Sequence, residues 1–152
     1  MKINTGAVVE VPVSSGLAYA QCTHTKKPYG PLLRVFPGIF AVRPQDLSAV
    51  VAQAPLFSCF FPLGAAVRQR RVAIAEDQPV AEALRQFPLF RAGATDPATG
   101  KIGIWWLWDG ENETRVGRLT PEQRKLDIRG VWNDTLLAIR IEQQWRPESD
   151  PC

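Results

Sequence analysis

The sequence predicts an α+β fold: a small antiparallel β-barrel or curved sheet, with short helices and a C-terminal helix added to it. Three observations lead there. Valine-rich and aromatic runs with a two-residue period occupy most of the chain, and clusters of Gly, Pro, Ser and Asp separate them at short intervals. The clearest helical spacing, Leu136, Leu137, Ile139, Arg140 and Ile141, comes last, so strands precede helix rather than alternating with it.

The elements follow in order. Val9, Val11 and Val13 share one face of an opening strand over residues 6–13, Ser14-Ser15-Gly16 supplies a turn, and residues 17–23 continue as a second strand. This pair is an SH3-like opening hairpin. A polar loop through Lys26, Lys27, Pro28 and Gly30 leads to a third strand over 32–36, ended by Pro37-Gly38, and 39–42 resumes an extended pattern. Pro44 suits a first helical turn, and Leu47, Val50 and Val51 recur at helical spacing before Pro55. Residues 56–61 are continuously apolar, which predicts a strand covered on both faces, with 72–75 as its partner. Residues 82–90 hold one helical turn or a loop, and 93–100 is turn chemistry throughout. A second hairpin is expected from Ile102 to Trp108, through the turn Asp109-Gly110-Glu111-Asn112, to Thr114–Leu119. Thr120-Pro121-Glu122-Gln123 has the form of a capping box. The last helix starts at Asn133 or Asp134, runs toward Trp145 and is stopped by Pro147.

At 152 residues, 45% hydrophobic and 22% charged, the chain is long enough to bury a core without disulfide or metal staples. One domain is expected over 1–147, with 148–152 as a loose tail. No internal repeat is present. Residues 47–67 carry no charge and match the length of a membrane span, but Pro55 and Pro62 would interrupt its hydrogen bonding, so a short helix and a buried strand are expected there instead. No membrane association follows. Cys22, Cys59 and Cys152 are odd in number and widely spaced, and no signal-like segment opens the sequence, which points to free thiols and a cytoplasmic setting.

Charge excludes a broad phosphate-backbone surface. Residues 1–67 hold Lys2, Lys26, Lys27, Arg34 and Arg43 against Glu10 and Asp46, while the remainder is balanced. The one dense cluster, Arg68-Gln69-Arg70-Arg71, reads as a solvated strand entry, and nucleic acid is disfavoured as a partner.

Catalytic chemistry finds little support. The single histidine, His24, lies two residues from Cys22, a spacing that puts both on one side of any strand and so is weak evidence for a dyad. The cysteines and histidine lack the paired spacing of a zinc site, so no metal and no cofactor are expected. Glu76-Asp77 and Asp109/Glu111 are the nearest carboxylate pairs, and turns favour acids at both places. Gly100-Lys101-Ile102-Gly103 lacks the spacing of a phosphate loop. No catalytic residue is assigned; a small enzyme built on convergent acids or on Cys22 is the rival reading.

Tryptophan is what the chain concentrates. Of five, three lie in Trp105-Trp106-Leu107-Trp108. On a strand Trp106 and Trp108 share a face and Trp105 takes the other; most such rings belong in the core, but an accessible one beside arginine and acids is a partner-binding anchor. The candidate binding residues are Trp108, Trp106, Asp109, Glu111 and Arg115, with Trp108 favoured because it adjoins the polar turn.

The run Gly6-Ala7-Val8-Val9-Glu10-Val11-Pro12-Val13, followed by Gly16-Leu17-Ala18-Tyr19-Ala20-Gln21, resembles the opening of the immunity protein 26 family of bacterial polymorphic toxin systems. The likeness covers the first hairpin; beyond it lie a mostly β body and tryptophans, and the helical C-terminal part departs from a minimal barrel. It implies a non-enzymatic cytoplasmic antidote that binds and neutralises a cognate toxin, and carries over no individual functional residue.

Overall fold

The computed structural model describes residues 2–152 and places nine strands in two sheets, with short helices, an α+β fold. The expectation of one domain over 1–147 with a loose tail treats the chain as one continuous run. Contacts group it into two compact units, one running to Gln86 and resuming over Gly130–Trp145, the other made of Phe87–Arg129 and Arg146–Cys152.

The first unit holds β1 (Ala7–Val13), β2 (Gly16–Lys26), β3 (Gly30–Val35), α1 (Leu47–Val51), β4 (Phe57–Phe60), α2 (Leu63–Arg68), β5 (Ala73–Asp77) and α3 (Asp134–Glu142). Its five strands are antiparallel in the order β4-β3-β2-β1-β5. The opening hairpin forms as expected, with Val13 opposite Gly16 and Ser14-Ser15 as its loop. Glycine is required at its exit, because the backbone of Phe40 passes there: Leu17 N donates to Phe40 O at 2.7 Å, and a Cβ on Gly16 would stand 2.4 Å from that oxygen.

β4 is buried along its whole length, as its continuous apolar run requires. Its expected partner is wrong, however. β4 pairs with β3, and β5 pairs with β1 at the opposite edge. The cause is α2, a helix the sequence reading lacks: Leu63 and Ala66 bury against the sheet, and the helix takes the chain from one edge to the other. With β4 and β5 at separate edges the sheet does not close, so the barrel alternative falls and the curved sheet remains.

Both faces of this sheet are covered. Val9, Val11, Ala20, Leu33, Val35 and Phe57 pack with α2 and α3, while Val8, Tyr19 and Phe36 pack with Leu47, Val50 and Val51 of α1. Asn133 caps α3, its side chain accepting from Leu136 N at 2.8 Å, and Leu137 and Ile141 are buried. The cap is worth about 1 kcal/mol, whereas each buried aliphatic side chain contributes roughly 1.5–3 kcal/mol. Packing, not local propensity, therefore holds a helix of only nine residues. Aromatic contacts add to it: Phe57 stacks on Trp132 at 4.9 Å, Trp145 meets both edge-on, and Arg140 lies 4.1 Å over the Trp145 ring. Among the described residues no helix is long and apolar enough to cross a membrane; Pro55 and Pro62 divide the uncharged stretch into α1, β4 and α2.

The last residue of α3 ties the helix to the first hairpin. Glu142 accepts hydrogen bonds from Ser14 Oγ and Ser15 Oγ, both at 2.6 Å, and from Ser15 N at 3.0 Å. These donors favour the ionised carboxylate and pull its pKa from 4.5 down to about 2. A depressed carboxyl contributes stability that is complete above 4.5 and is lost as pH falls through about 2. Thermal unfolding of the native chain and of Glu142→Gln across that window should therefore show the gap between them closing as pH falls. A gap that stays constant would mean that the serine contacts do not form in solution.

The second unit holds β6 (Phe90–Ala92), β7 (Trp105–Trp108), β8 (Glu113–Gly117) and β9 (Asp127–Ile128), in the order β8-β7-β6-β9, with β9 parallel to β6. The expected capping box forms around a single turn: Gln123 N donates to Thr120 Oγ1 at 3.2 Å, and Thr120 N donates to Gln123 Oε1 at 2.9 Å. Pro147–Ser149 makes another single turn, and the fully buried Arg91 donates to Pro147 O at 2.6 Å and Leu126 O at 3.2 Å.

Candidate binding face of the tryptophan hairpin

The β7–β8 hairpin lies where expected but is shorter: β7 starts at Trp105 rather than Ile102. Register fixes which side chains share a face. Phe90, Trp108 and Glu113 stand in one row across β6, β7 and β8, and Ala92, Trp106 and Arg115 stand in the next row of the same face. Arg91, Leu107 and Thr114 point the other way, together with Trp105. The pairing with β8 shifts register between Trp105 and Trp106, with Val116 the extra residue on β8, and Trp105 is buried while Trp106 is exposed, as opposite faces require.

Exposure is distributed differently from the expectation. Trp108 is only 6% exposed. Phe87 meets its ring edge-on at 5.4 Å, Phe90 lies 5.6 Å away, and the Arg129 guanidinium sits 5.1 Å from its centre while pairing with Glu113 at 2.6 Å. The polar turn was the reason to expect access here, yet it works in the opposite sense. Gly110 has a φ of +100°, and a Cβ on it would stand 2.9 Å from the Phe87 ring, so the tip of the turn packs against the residue that covers Trp108.

The accessible ring is Trp106, at 36%, beside Ile104 at 47%. Arg115 is its cross-strand neighbour, and Ala94, Asp96 and Gly103 complete an open cleft of about 450 Å³ around them. Asp109 serves the turn, its Oδ1 accepting from Glu111 N at 2.8 Å and Asn112 N at 2.7 Å; Glu111 lies exposed beside it. Of the five candidates, the structure therefore brings Trp106 and Arg115 together on an open surface, puts Trp108 under a cover, and leaves Asp109 and Glu111 at the hairpin tip. Ile104 was missed. Its position on the same alternating face as Trp106 was the available signal, but the loop geometry that exposes it was not readable.

The remaining chemistry-bearing residues do not assemble. A β-bulge between Cys22 and His24 breaks the alternation that would have aligned them. The Cys22 thiol lies in the core and donates to the carbonyl of His24 at 3.7 Å. Burial pushes its pKa up to about 11, which keeps it protonated at neutral pH. The His24 ring bonds Thr23 Oγ1 at 2.8 Å and Arg85 O at 2.9 Å, and burial, chiefly, lowers its pKa. Asp77 accepts from Asn4 Nδ2 at 2.9 Å and Glu76 from Gln78. The cysteines are free thiols, and among the described residues no three His, Cys, Asp or Glu side chains are grouped to hold a metal.

A second surface was not anticipated. In the first unit a mainly apolar cleft of about 570 Å³ opens beside β5, floored by Ile3, Val67, Val72 and Ile74. Arg70 of the basic cluster lines it, held at a φ of +59° in the turn between α2 and β5.

Comparison with protein-family models, curated proteins and solved structures finds no match.

Proposed function

We propose that this chain acts by binding another protein, without catalysis of its own, and that its specific role is immunity: neutralising a cognate bacterial toxin in the cytoplasm. The observation that supports binding is the pairing of an accessible Trp106 with Ile104 and Arg115 on one open sheet face. Tryptophan and arginine dominate the few residues that carry most interface energy, because a large ring and a planar guanidinium bury much area and fix orientation. The toxin reading rests on the likeness of the opening hairpin to the immunity protein 26 family.

The test uses Trp106→Ala in the full chain. Trp106 is far more exposed than Trp105 or Trp108, so the variant should lose less stability than truncation of either of those rings while losing about 2 kcal/mol or more of partner affinity. Tagged native protein recovered from its host identifies the partner, and calorimetry on that partner compares the two chains. A toxin as the partner, with host growth restored by the native chain and not by the variant, supports the whole reading. Equal affinity of both chains would move the binding face elsewhere, and turnover of a small substrate by the purified chain would overturn the non-catalytic reading.

A further inference from the structure

The face of β7 opposite Trp106 carries a different surface. There Ile102, Gly103, Trp105, Gly117, Leu119 and two arginines, Arg118 and Arg124, enclose a cleft of about 470 Å³. No carboxylate lines it. Arg118 is exposed and its side chain makes no hydrogen bond or ion pair among the described residues, while Arg124 is steadied by donating to Cys152 O at 2.9 Å. A third guanidinium lies behind the wall: fully buried Arg91 sits 5.0 Å from the centre of the Trp105 ring, and its Nη1 has no hydrogen-bond partner. Cys152, to which Arg124 is bonded, together with Asp150 and Asp127, offsets part of the Arg91 charge, and none of the three lines the cleft.

We propose that this cleft is a binding site for a small phosphate-bearing ligand held between Arg118 and Arg124. Two guanidinium groups offer several N–H donors in planar forks, a geometry that matches the oxygens of a phosphate, and their combined charge matches a dianion better than a single carboxylate. The volume falls in the range of small-ligand sites, and the lining is polar where the other clefts are chiefly apolar. Gly103 and Gly117 keep it open, since nothing lies within 4 Å of where a Cβ would stand on either. The cleft is lined by Trp105 and the Trp106 cleft by Trp106, with Gly103 shared at their border, and neither Arg118 nor Arg124 lines the Trp106 cleft, so the site does not depend on the protein-binding proposal.

Inorganic phosphate titrated into the ¹⁵N-labelled full chain at constant ionic strength tests the idea, with the arginine Nε–Hε signals as readout. Saturable shifts should be confined to the Arg118 and Arg124 signals, with acetate producing none. Arg118→Gln, which removes no internal contact and should keep the native unfolding temperature, is expected to weaken phosphate binding about tenfold, and Arg118→Lys should restore part of it. Shifts that do not saturate, equal shifts with acetate, or native affinity in Arg118→Gln would overturn the site. Because no protein partner enters this experiment, its failure and the failure of the Trp106 test are separable.

Discussion

Replacing Trp108 by alanine is expected to destabilise the second unit by about 3–5 kcal/mol, the usual cost of removing a buried tryptophan. The ring fills the space between Phe87, Phe90 and Arg129, so truncation opens a cavity that these neighbours cannot close without moving the Asp109–Asn112 turn packed against Phe87. It also removes the surface beneath the Arg129 guanidinium, leaving the Arg129–Glu113 pair to solvent, where such pairs are worth about 0–1 kcal/mol. Urea unfolding followed by circular dichroism, with hydrogen exchange over residues 87–129, reads the effect. Trp106→Ala should lose less stability, since that ring is far more exposed. Similar losses in both variants would contradict the division between a covered and an open ring.

Arg34→Met is expected to cost about 2–4 kcal/mol, since hydrogen bonds made by a charged group each contribute roughly 1.5–3 kcal/mol and their loss strands buried acceptors. Arg34 is buried in β3 and donates to Thr23 Oγ1 at 3.1 Å, Ser58 Oγ at 3.3 Å, Leu84 O at 3.4 Å and Gln86 O at 3.3 Å. It thereby joins β2, β3 and β4 to the Glu82–Leu84 turn and the residues after it. Methionine retains much of the length and volume, so the change reports on the polar contacts rather than on a cavity. Hydrogen exchange should quicken over 82–86 before the sheet is affected. A loss below about 1 kcal/mol would mean that desolvating the guanidinium offsets what its bonds return.

Local patterns were legible wherever a short-range rule decides the outcome. Alternating valines, a two-residue serine loop and a glycine exit specify β1 and β2; Asn133 and the Thr120–Gln123 pair announce a helix start and a capped turn, and each is found with its hydrogen bonds made. The same alternation correctly opposed Trp105 to Trp106. Where a local rule was broken by a bulge, as between Cys22 and His24, the period-two argument failed at once, because one extra residue turns every following side chain to the other face.

Composition and periodicity by themselves thus determined the α+β class, the two hairpins, the position of the last helix and the concentration of aromatic side chains at one strand. Tertiary structure alone decided which edge β5 joins, since α2 crosses the sheet and pairing partners far apart in sequence leave no local trace. It decided equally that the chain leaves its first unit at Gln86 and returns at Gly130. And it decided which tryptophan meets solvent: a polar turn beside Trp108 suggested exposure, but access depends on what packs over a ring, and Phe87 and Arg129 cover Trp108, while Trp106 keeps about a third of its surface exposed.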